Sequence, residues 1–386
     1  MSKEKYFNLI DYGASKIRFS VFDKNYNEKY SETVEVIYEQ NHNNHFEEIV
    51  KIIKKAEKNI SFHIEDVIVI LDTPDLLTID ISFNKNLNKP TKIKKVYDNI
   101  IQELNQLIET NYSKHVIAHI IIDQCIIDEK IYIELPENQL INNLKIDFKI
   151  ICFPKILISK LKKEFIKNNI NVIDFFCTSF VKSLSYTKKL NINNLSYLEI
   201  GWERTTLLYY KNYKLKLIKS IPIGGSHITK DISKVFNISL EDAEKIKKLF
   251  NMSETEFSYQ NEKKENLLHL KDIISKNISI NLIKKVILYR IQEIMDLIFR
   301  ASEEQTSIYN LEQTELFLIG EGSTLLNNNS IHLNDKFNFK SINFYPENSN
   351  SICYSGLLYH LNSYEIPKII KKKQGIFEKF FNYFGK

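Results

Sequence analysis

Hydrophobic positions in this chain fall into short strand-like runs broken by polar turns, with longer stretches of helical period between them. Residues 5–22, YFNLIDYGASKIRFSVFD, predict two strands joined by a tight turn at Tyr12–Lys16. Residues 46–60 follow a helical period, and the continuous apolar run DVIVIL at 66–71 predicts a buried strand. From 72 to 150 a helix over 92–110 precedes strands around HVIAHIIID and EKIYIELP, the pattern of a small α+β module inserted into something larger. A further strand at 150–154 (IICFP) and a helix over 156–169 follow, and NVIDFFCTSF leads into a helix through 188.

The second half repeats the opening theme. SYLEIGWERTTLLYY at 196–210 is again strand, acidic residue, glycine, turn and strand, followed by KLKLIKSIPI. Residues 226–250 and 265–309 are predicted to be largely helical, and ELFLIGEGSTLL at 315–326 reads as a strand ending in a Gly-x-Gly turn that opens a helix. A strand–acidic–x–Gly–strand hairpin in each half predicts a duplicated architecture with a site between the halves. Around Tyr364–Lys373 a basic stretch interrupted by Pro367 reads as a linker.

The last twelve residues, Gly375–Lys386, change the picture most. At 100° per residue, Ile376, Phe377, Phe380, Phe381, Tyr383 and Phe384 share an arc of about 160°, opposite Glu378, Lys379, Asn382 and Lys386. Lys368 and Lys371–Lys373 sit just upstream. An aromatic face beside a lysine run predicts a helix lying on an anionic membrane surface. The competing reading is a terminal helix docked on its own core.

Charge agrees with that placement. The formal net charge of the 386-residue chain is +5, and residues 366–386, with six Lys and one Glu, carry all of it. A body neutral on balance argues against a broad nucleic-acid footprint. Cys125, Cys152, Cys177 and Cys353 form no C-x-x-C pair, as expected of a reduced cytosolic chain. Met1–Lys5 lacks the apolar core of a signal peptide, and no apolar run approaches the length that spans a bilayer. The chain is expected to lie on a membrane without crossing it.

Three glycine turns at strand ends suit a nucleotide. In Asp11-Tyr12-Gly13-Ala14-Ser15-Lys16, Gly13 permits a sharp turn whose backbone N–H groups face phosphate. Ser15 adds a hydroxyl, Lys16 adds charge, and Asp11 is placed to hold Mg²⁺ through water. The turn at Glu199–Thr206, with Gly201 and Thr205, grips phosphate from the other side. Gly320-Glu321-Gly322-Ser323 lets a helix N-terminus approach a nucleoside closely. His115 and His119, on a strand, splay about 13 Å apart on one face and do not form a metal pair. His42 and His45 lie in an Asn-rich loop and are expected to be solvated. Trp202 is expected to pack rather than act in chemistry. No Ser-His-Asp or Cys-His arrangement stands out.

These motifs, in this order, carry a resemblance. The Asp-x-Gly-x-x-Lys hairpin, the acidic-x-Gly hairpin, the segment Ile221–Ile232 (I-P-x-G-G-x-x-x-T-x-D-I) and Asp242-Ala243-Glu244-x-x-Lys247 resemble FtsA, the bacterial actin-like cell-division family. Arg290-x-x-Glu293-Ile294, Gly320-x-Gly322 and Ser355-Gly356-Leu357-Leu358 extend the resemblance, as do the inserted module, with His115–Ile122 as its characteristic strand, and the amphipathic tail. One departure stands out. Where the family has Asp-Ile-Gly-Gly-Gly-Thr, this chain has Glu199-Ile200-Gly201-Trp202-Glu203-Arg204-Thr205, and Glu203 repels phosphate unless Arg204 compensates as an anion donor.

The resemblance implies an α/β, two-lobed actin-like fold (ribonuclease H-like and duplicated) with an inserted α+β subdomain and a C-terminal amphipathic helix. The implied division is 1–71, the insertion 72–150, the return 151–195, the second-lobe hairpin 196–232, a helical subdomain 233–310, the adenosine turn and closing helix 311–364, a linker 365–374 and the membrane helix 375–386. It implies ATP with Mg²⁺ between the lobes, lined by Asp11, Gly13, Ser15, Lys16, Gly201, Thr205, Gly225, Thr229, Glu244, Lys247, Gly320, Gly322 and Ser323. Turnover is expected to be slow or absent, so the protein is an adaptor more than an enzyme. The implied partners are the C-terminal peptide of FtsZ, met by Arg290 and Arg300, copies of the chain itself in a filament, other division proteins, and the anionic inner membrane at the division site. A pilus- or shape-determining actin homologue, or a small-substrate kinase of the same fold, competes with that reading.

Overall fold

The computed structural model describes residues 6–36, 43–132, 135–136, 139–190, 192–249, 280–300, 313–326, 339–345 and 351–363. The tail, with Ile376, Phe377, Phe380, Phe381, Tyr383 and Phe384, lies outside the described residues, as do its linker and residues 250–279 and 301–310 of the expected helical subdomain. The chain separates into two units, the first running to residue 191 and resuming at 348, the second spanning 192–347.

In unit 1, β1 (Phe7–Tyr12), β2 (Lys16–Phe22) and β3 (Glu28–Glu35) form an antiparallel meander. Strand β4 (Asp66–Leu71) pairs parallel to β1, and β9 (Asn171–Cys177) pairs parallel to β4, giving the order β3-β2-β1-β4-β9. Five of the six β4 side chains are buried. That is the mark of a strand covered on both faces, and it explains an uninterrupted apolar run where an exposed strand would alternate. Helix α1 (Asn43–Ile60) connects β3 to β4.

The inserted module is a sheet of order β5-β8-β6-β7, from β5 (Leu77–Lys92), β6 (His115–Ile127), β7 (Lys130–Tyr132) and β8 (Leu140–Pro154). Helix α2 (Ile93–Asn111) buries Ile93, Val96, Ile100, Leu104 and Ile108 in one core with Ile146, Phe148 and Ile150 of β8. Their spacing of three and four puts them on one helical stripe. Helices α3 (Lys155–Lys167) and α4 (Thr178–Leu190) flank β9 in sequence.

Unit 2 repeats the first sheet. Strands β10 (Asn194–Ile200), β11 (Thr205–Lys211) and β12 (Lys214–Ile221) form the meander, and β13 (Glu315–Ile319) and β14 (Ser341–Phe344) pair parallel, in the order β12-β11-β10-β13-β14. Helices α5 (Gly225–Phe236), α6 (Leu240–Leu249) and α7 (Ile280–Arg300) bury Ile228, Ile232, Ile246, Ile283, Ile287 and Ile291 in a core shared with Leu198 and Leu318 of the sheet. The expected duplication is thus present strand for strand.

Three features differ from expectation. Strands β3, β5 and β14 went unpredicted, and β8 begins ten residues before the predicted strand. The segment after Gly320 is a 3-10 helix, Glu321–Leu326, rather than an α-helix. The closing helix α8 (Ser351–Ser363), assigned with 311–364 to the second lobe, belongs to unit 1. Its Cys353 Sγ lies 3.7 Å from Leu9 O, and a Cβ on Gly356 would meet Ile70 Cδ1 at 2.2 Å. The helix is seated against β1 and β4, with Gly356 at the point of closest approach to Ile70 and Leu9.

Candidate functional site

Each sheet opens with a hairpin closed by a glycine. In unit 1 the Gly13 N–H donates to Lys16 O at 3.1 Å. A Cβ on Gly13 would lie 2.5 Å from that same carbonyl, so the turn requires glycine. The antiparallel register places Asp11 opposite Arg18. The Arg18 guanidinium donates to Asp11 Oδ2 at 2.7 Å, and the Thr178 hydroxyl at the start of α4 donates to Oδ1 at 3.3 Å. Asp11 is buried, and so is Lys182 on α4, whose charge acts on it. Burial pushes the Asp11 carboxyl above its ordinary range, against the pull of Arg18, Lys182 and Thr178.

Asp11 was expected to hold Mg²⁺ through water, and here its carboxylate is engaged by the protein. Both carboxylate oxygens are engaged by protein donors, and a cation of the chain stands beside them, so a hydrated divalent ion does not fit this arrangement. Among the described residues no group of three or more His, Cys, Asp or Glu is placed to hold a metal ion. Ser15 and Lys16 remain near the turn tip, with Lys16 Nζ 3.7 Å from Glu35 Oε1. Arg18, Thr178 and Lys182 were not anticipated. Arg18 was within reach of the sequence, because a turn over Tyr12–Lys16 fixes the register that sets it across from Asp11.

The hairpin of unit 2 has the same backbone, with Gly201 N–H donating to Arg204 O at 2.9 Å. Its carbonyls do something different. Gly201 O accepts from Gly225 N and Trp202 O from Ser226 N, both at 2.8 Å, so the turn caps the first N–H groups of α5. A Cβ on Gly224 would meet Gly201 O at 2.5 Å and Trp202 O at 2.8 Å, which makes glycine the residue that allows this docking. Thr205 Oγ1 donates to Ile223 O at 2.8 Å and secures the loop leading into α5. Arg204, considered as a phosphate donor, is turned into the sheet instead. Its guanidinium is buried and donates to Thr206 Oγ1 and, at 3.2 Å, to Ser220 Oγ. Desolvation lowers its pKa to about 9.

The third turn closes on the second. Gly320 has φ +85°, a conformation that favours glycine. A Cβ on Gly322 would lie 2.6 Å from Ile200 Cγ2 and 2.7 Å from Ile200 O. Ser323 is buried, its hydroxyl donating to Gly320 O at 2.6 Å. Parallel β10 and β13 therefore deliver their glycine turns side by side at their carboxyl ends, where ligands bind in open α/β sheets.

Helices α5 and α6 add a buried polar cluster. Lys247 Nζ donates to Gly225 O at 3.0 Å and Thr229 Oγ1 at 2.9 Å, and lies 2.6 Å from Glu244 Oε2. The Thr229 hydroxyl donates to Glu244 Oε2 at 2.5 Å. Trp202 covers this cluster, its ring centroid 4.6 Å from Lys247 Nζ, so it packs, as expected, though onto a cation. Unit 2 thus gathers Gly201, Thr205, Gly225, Thr229, Glu244, Lys247, Gly320, Gly322 and Ser323. Asp11, Gly13, Ser15 and Lys16 form their own turn in unit 1.

Elsewhere, Arg290 on α7 is not a free cation for a partner. It donates to Asp231 of α5 at 2.6 and 2.9 Å and to Glu293 at 2.6 Å. The Arg300 side chain lies outside the described residues. His119 is a buried core histidine that accepts from Cys177 N at 2.8 Å and meets Tyr359 OH at 2.9 Å. The four cysteines are buried and form no disulfide with one another.

Comparison with known proteins finds similarity to one family over part of the chain. The family model described as Cell division protein FtsA matches residues 197–352, a span that holds the whole unit 2 cluster. The cell division protein FtsA of Bacillus subtilis (strain 168) is 25% identical over 203 residues, covering 50% of this chain and 44% of that protein. The chain thus matches less than half the length of that curated relative. Among solved structures, one titled PilM-PilN type IV pilus biogenesis complex superposes with a TM-score of 0.56 at 13% identity, covering 95% of this chain and 99% of that one. MreB 5 of Spiroplasma citri bound to AMPPNP superposes with a TM-score of 0.54 at 12% identity, covering 95% and 98%. The fold is actin-like.

Proposed function

We propose, from the premise that this chain is an FtsA-like protein of actin-like fold, that it is a cell-division adaptor. It binds ATP, tethers FtsZ filaments to the cytoplasmic face of the inner membrane, and helps assemble the septal ring. The observation that supports this best is the pair of glycine turns at the carboxyl ends of β10 and β13, packed against the N-terminus of α5. That arrangement lets a nucleotide approach the backbone closely at the carboxyl ends of the strands. In unit 1, Gly13, Ser15 and Lys16 form a glycine turn of the same kind, which suits phosphate in its own right. Hydrolysis is slow at most, since Asp11 is held by Arg18 and the second turn carries Trp202 and Glu203 where the family has glycines.

The FtsZ peptide docks on the α5–α7 face of unit 2. Val235, Leu282 and Tyr289 are exposed there, and apolar contact carries more of the affinity than Arg290, whose charge Asp231 and Glu293 already engage. The aromatic tail at 375–386 supplies the membrane anchor, and binding strengthens when many copies assemble on one filament.

Co-sedimentation of the full chain with FtsZ polymers and anionic liposomes tests this reading. The chain should pellet with both, and deleting 375–386 or changing Phe380 and Phe381 to Glu should abolish the liposome fraction while leaving the FtsZ fraction. A chain that ignores FtsZ polymers would point instead to a pilus- or shape-determining role for the same fold.

A further inference from the structure

Lysine carries three N–H donors and no acceptor. All three donors of Lys247 have close acceptors within the chain, in Gly225 O, Thr229 Oγ1 and Glu244 Oε2, at 3.0, 2.9 and 2.6 Å. The ammonium is buried, and the Trp202 ring covers it at 4.6 Å. A Cβ placed on Gly225 would lie 3.4 Å from Lys247 Nζ and 3.9 Å from the Trp202 ring, so indole, ammonium and the first residue of α5 are in van der Waals reach of one another. Gly225, Thr229, Glu244 and Lys247, all expected to line the nucleotide, are therefore joined to each other, and the roof over them is a side chain of the adjacent glycine turn.

We infer that Trp202 is a built-in plug that sets nucleotide affinity, holding the place beside Gly225 and Lys247 that a nucleotide's sugar and proximal phosphate would take. The inference rests on the proposed nucleotide site. The turn that carries the plug is held from beneath by Gly201 O and Trp202 O on the α5 amides, so the indole can swing away without unfolding the turn. ATP binding then exchanges the indole on Lys247 for the ligand, and the exchange lowers apparent affinity by the share of time the plug is seated.

Trp202 is the single tryptophan of the chain, which makes the exchange directly visible. Calorimetric titration of ATP into the full-length protein should give at least tenfold tighter binding for Trp202→Ala than for wild type. Trp202→Phe, which keeps an aromatic roof, should stay within threefold. In the wild-type protein, saturating ATP should red-shift Trp202 emission and raise its acrylamide quenching; this measurement stands even if Trp202→Ala misfolds. Binding by Trp202→Ala but not by wild type would uphold the plug and overturn ATP binding by the wild-type chain. Equal affinities, weaker binding by Trp202→Ala, or an indole whose quenching ignores ATP would overturn the plug and leave ATP binding standing. No binding by wild type or by a folded Trp202→Ala would overturn both.

Discussion

In both sheets a strand ends at a glycine whose N–H closes on the carbonyl three residues later, and the next strand pairs back in the same register. Asp11 faces Arg18 in the first hairpin, and Glu199 faces Thr206 in the second. The backbones agree and the charges part company. The first hairpin joins its acid to a cation across the strands and leaves Lys16 near the tip. The second withdraws its cation, Arg204, into the sheet toward Thr206 and Ser220 and turns its carbonyls onto α5. A duplicated backbone thus supports two chemistries. One hairpin carries a cation near its tip, beside Glu35, and the other is committed to holding a helix and an indole.

The comparison is broken most severely at Arg18. Arg18→Met strands a buried carboxylate and should cost about 3 kcal/mol, the lower end for a broken buried pair because Thr178 and Lys182 remain. Adding Asp11→Asn should recover most of that loss. In the second hairpin, Thr206→Val removes one acceptor of Arg204 while Ser220 remains, and should cost about 1 kcal/mol. Urea unfolding followed by circular dichroism measures all three. An Arg18→Met variant as stable as wild type would remove the structural role assigned to that pair.

Acid separates the two units further. Burial lowers the His119 pKa to about 3, so between pH 6.5 and 3 this histidine stays neutral in unit 1 while its unfolded counterpart charges. Between pH 6.5 and 3 the unfolded state binds the extra proton, and stability falls with falling pH by about 1.4 kcal/mol per unit from this group. Above pH 6.5 it contributes no slope. The difference between wild type and His119→Gln isolates the effect from the carboxylates, including Asp11, whose raised pKa acts in the opposite direction. Equal acid slopes in the two proteins would mean that His119 is charged in the fold.

Much of this was legible in residue order, and the exceptions have physical causes. The two hairpins, the continuous run of β4 and the helical stripe of α2 are local patterns that burial then confirms. Strand β5 was half legible: Leu77, Ile79, Ile81 and Phe83 alternate, but Asn84–Lys92 is polar and contains Pro90, and only pairing with β8 across a register shift at Asn86/Thr91 makes it a strand. Strand β14 is four residues long and exists through its partner β13. The seat of α8 depends on contacts with Leu9 and Ile70, hundreds of residues earlier, which no local window contains. At the candidate site the glycines were found because turns need them. Arg18 and Lys182 were missed because their roles come from cross-strand register and helix packing.

A smaller change sharpens the second hairpin. Gly224→Ala would drive a Cβ into three backbone atoms, Gly201 O at 2.5 Å, Arg204 N at 2.7 Å and Trp202 O at 2.8 Å. Backbone cannot step aside as a side-chain tip can, so the α5–turn docking should loosen at a cost of about 2 kcal/mol. Amide exchange should show the loss at Gly225 and Ser226, whose N–H groups lose their acceptors, while the Gly13 turn of unit 1 stays protected. Unchanged protection at Gly225 and Ser226 would show that the turn does not hold the helix.

The smallest stability effect belongs to Lys16, and there the two hairpins should differ in kind. Its side chain is 21% exposed and its partner Glu35 is 65% exposed, with 3.7 Å between charges, so the pair is largely screened. Lys16→Ala should change unfolding free energy by less than about 0.5 kcal/mol. Arg204→Met should cost more, on the order of 1–2 kcal/mol, because it leaves the buried Thr206 hydroxyl and the half-buried Ser220 hydroxyl short of a donor. Toward ATP the order should reverse: Lys16→Ala should weaken binding severalfold by calorimetry, and Arg204→Met should leave it nearly unchanged wherever the protein remains folded. If both substitutions act alike in both measurements, the hairpins do not divide the work, and the cation near the first tip serves the fold as Arg204 does.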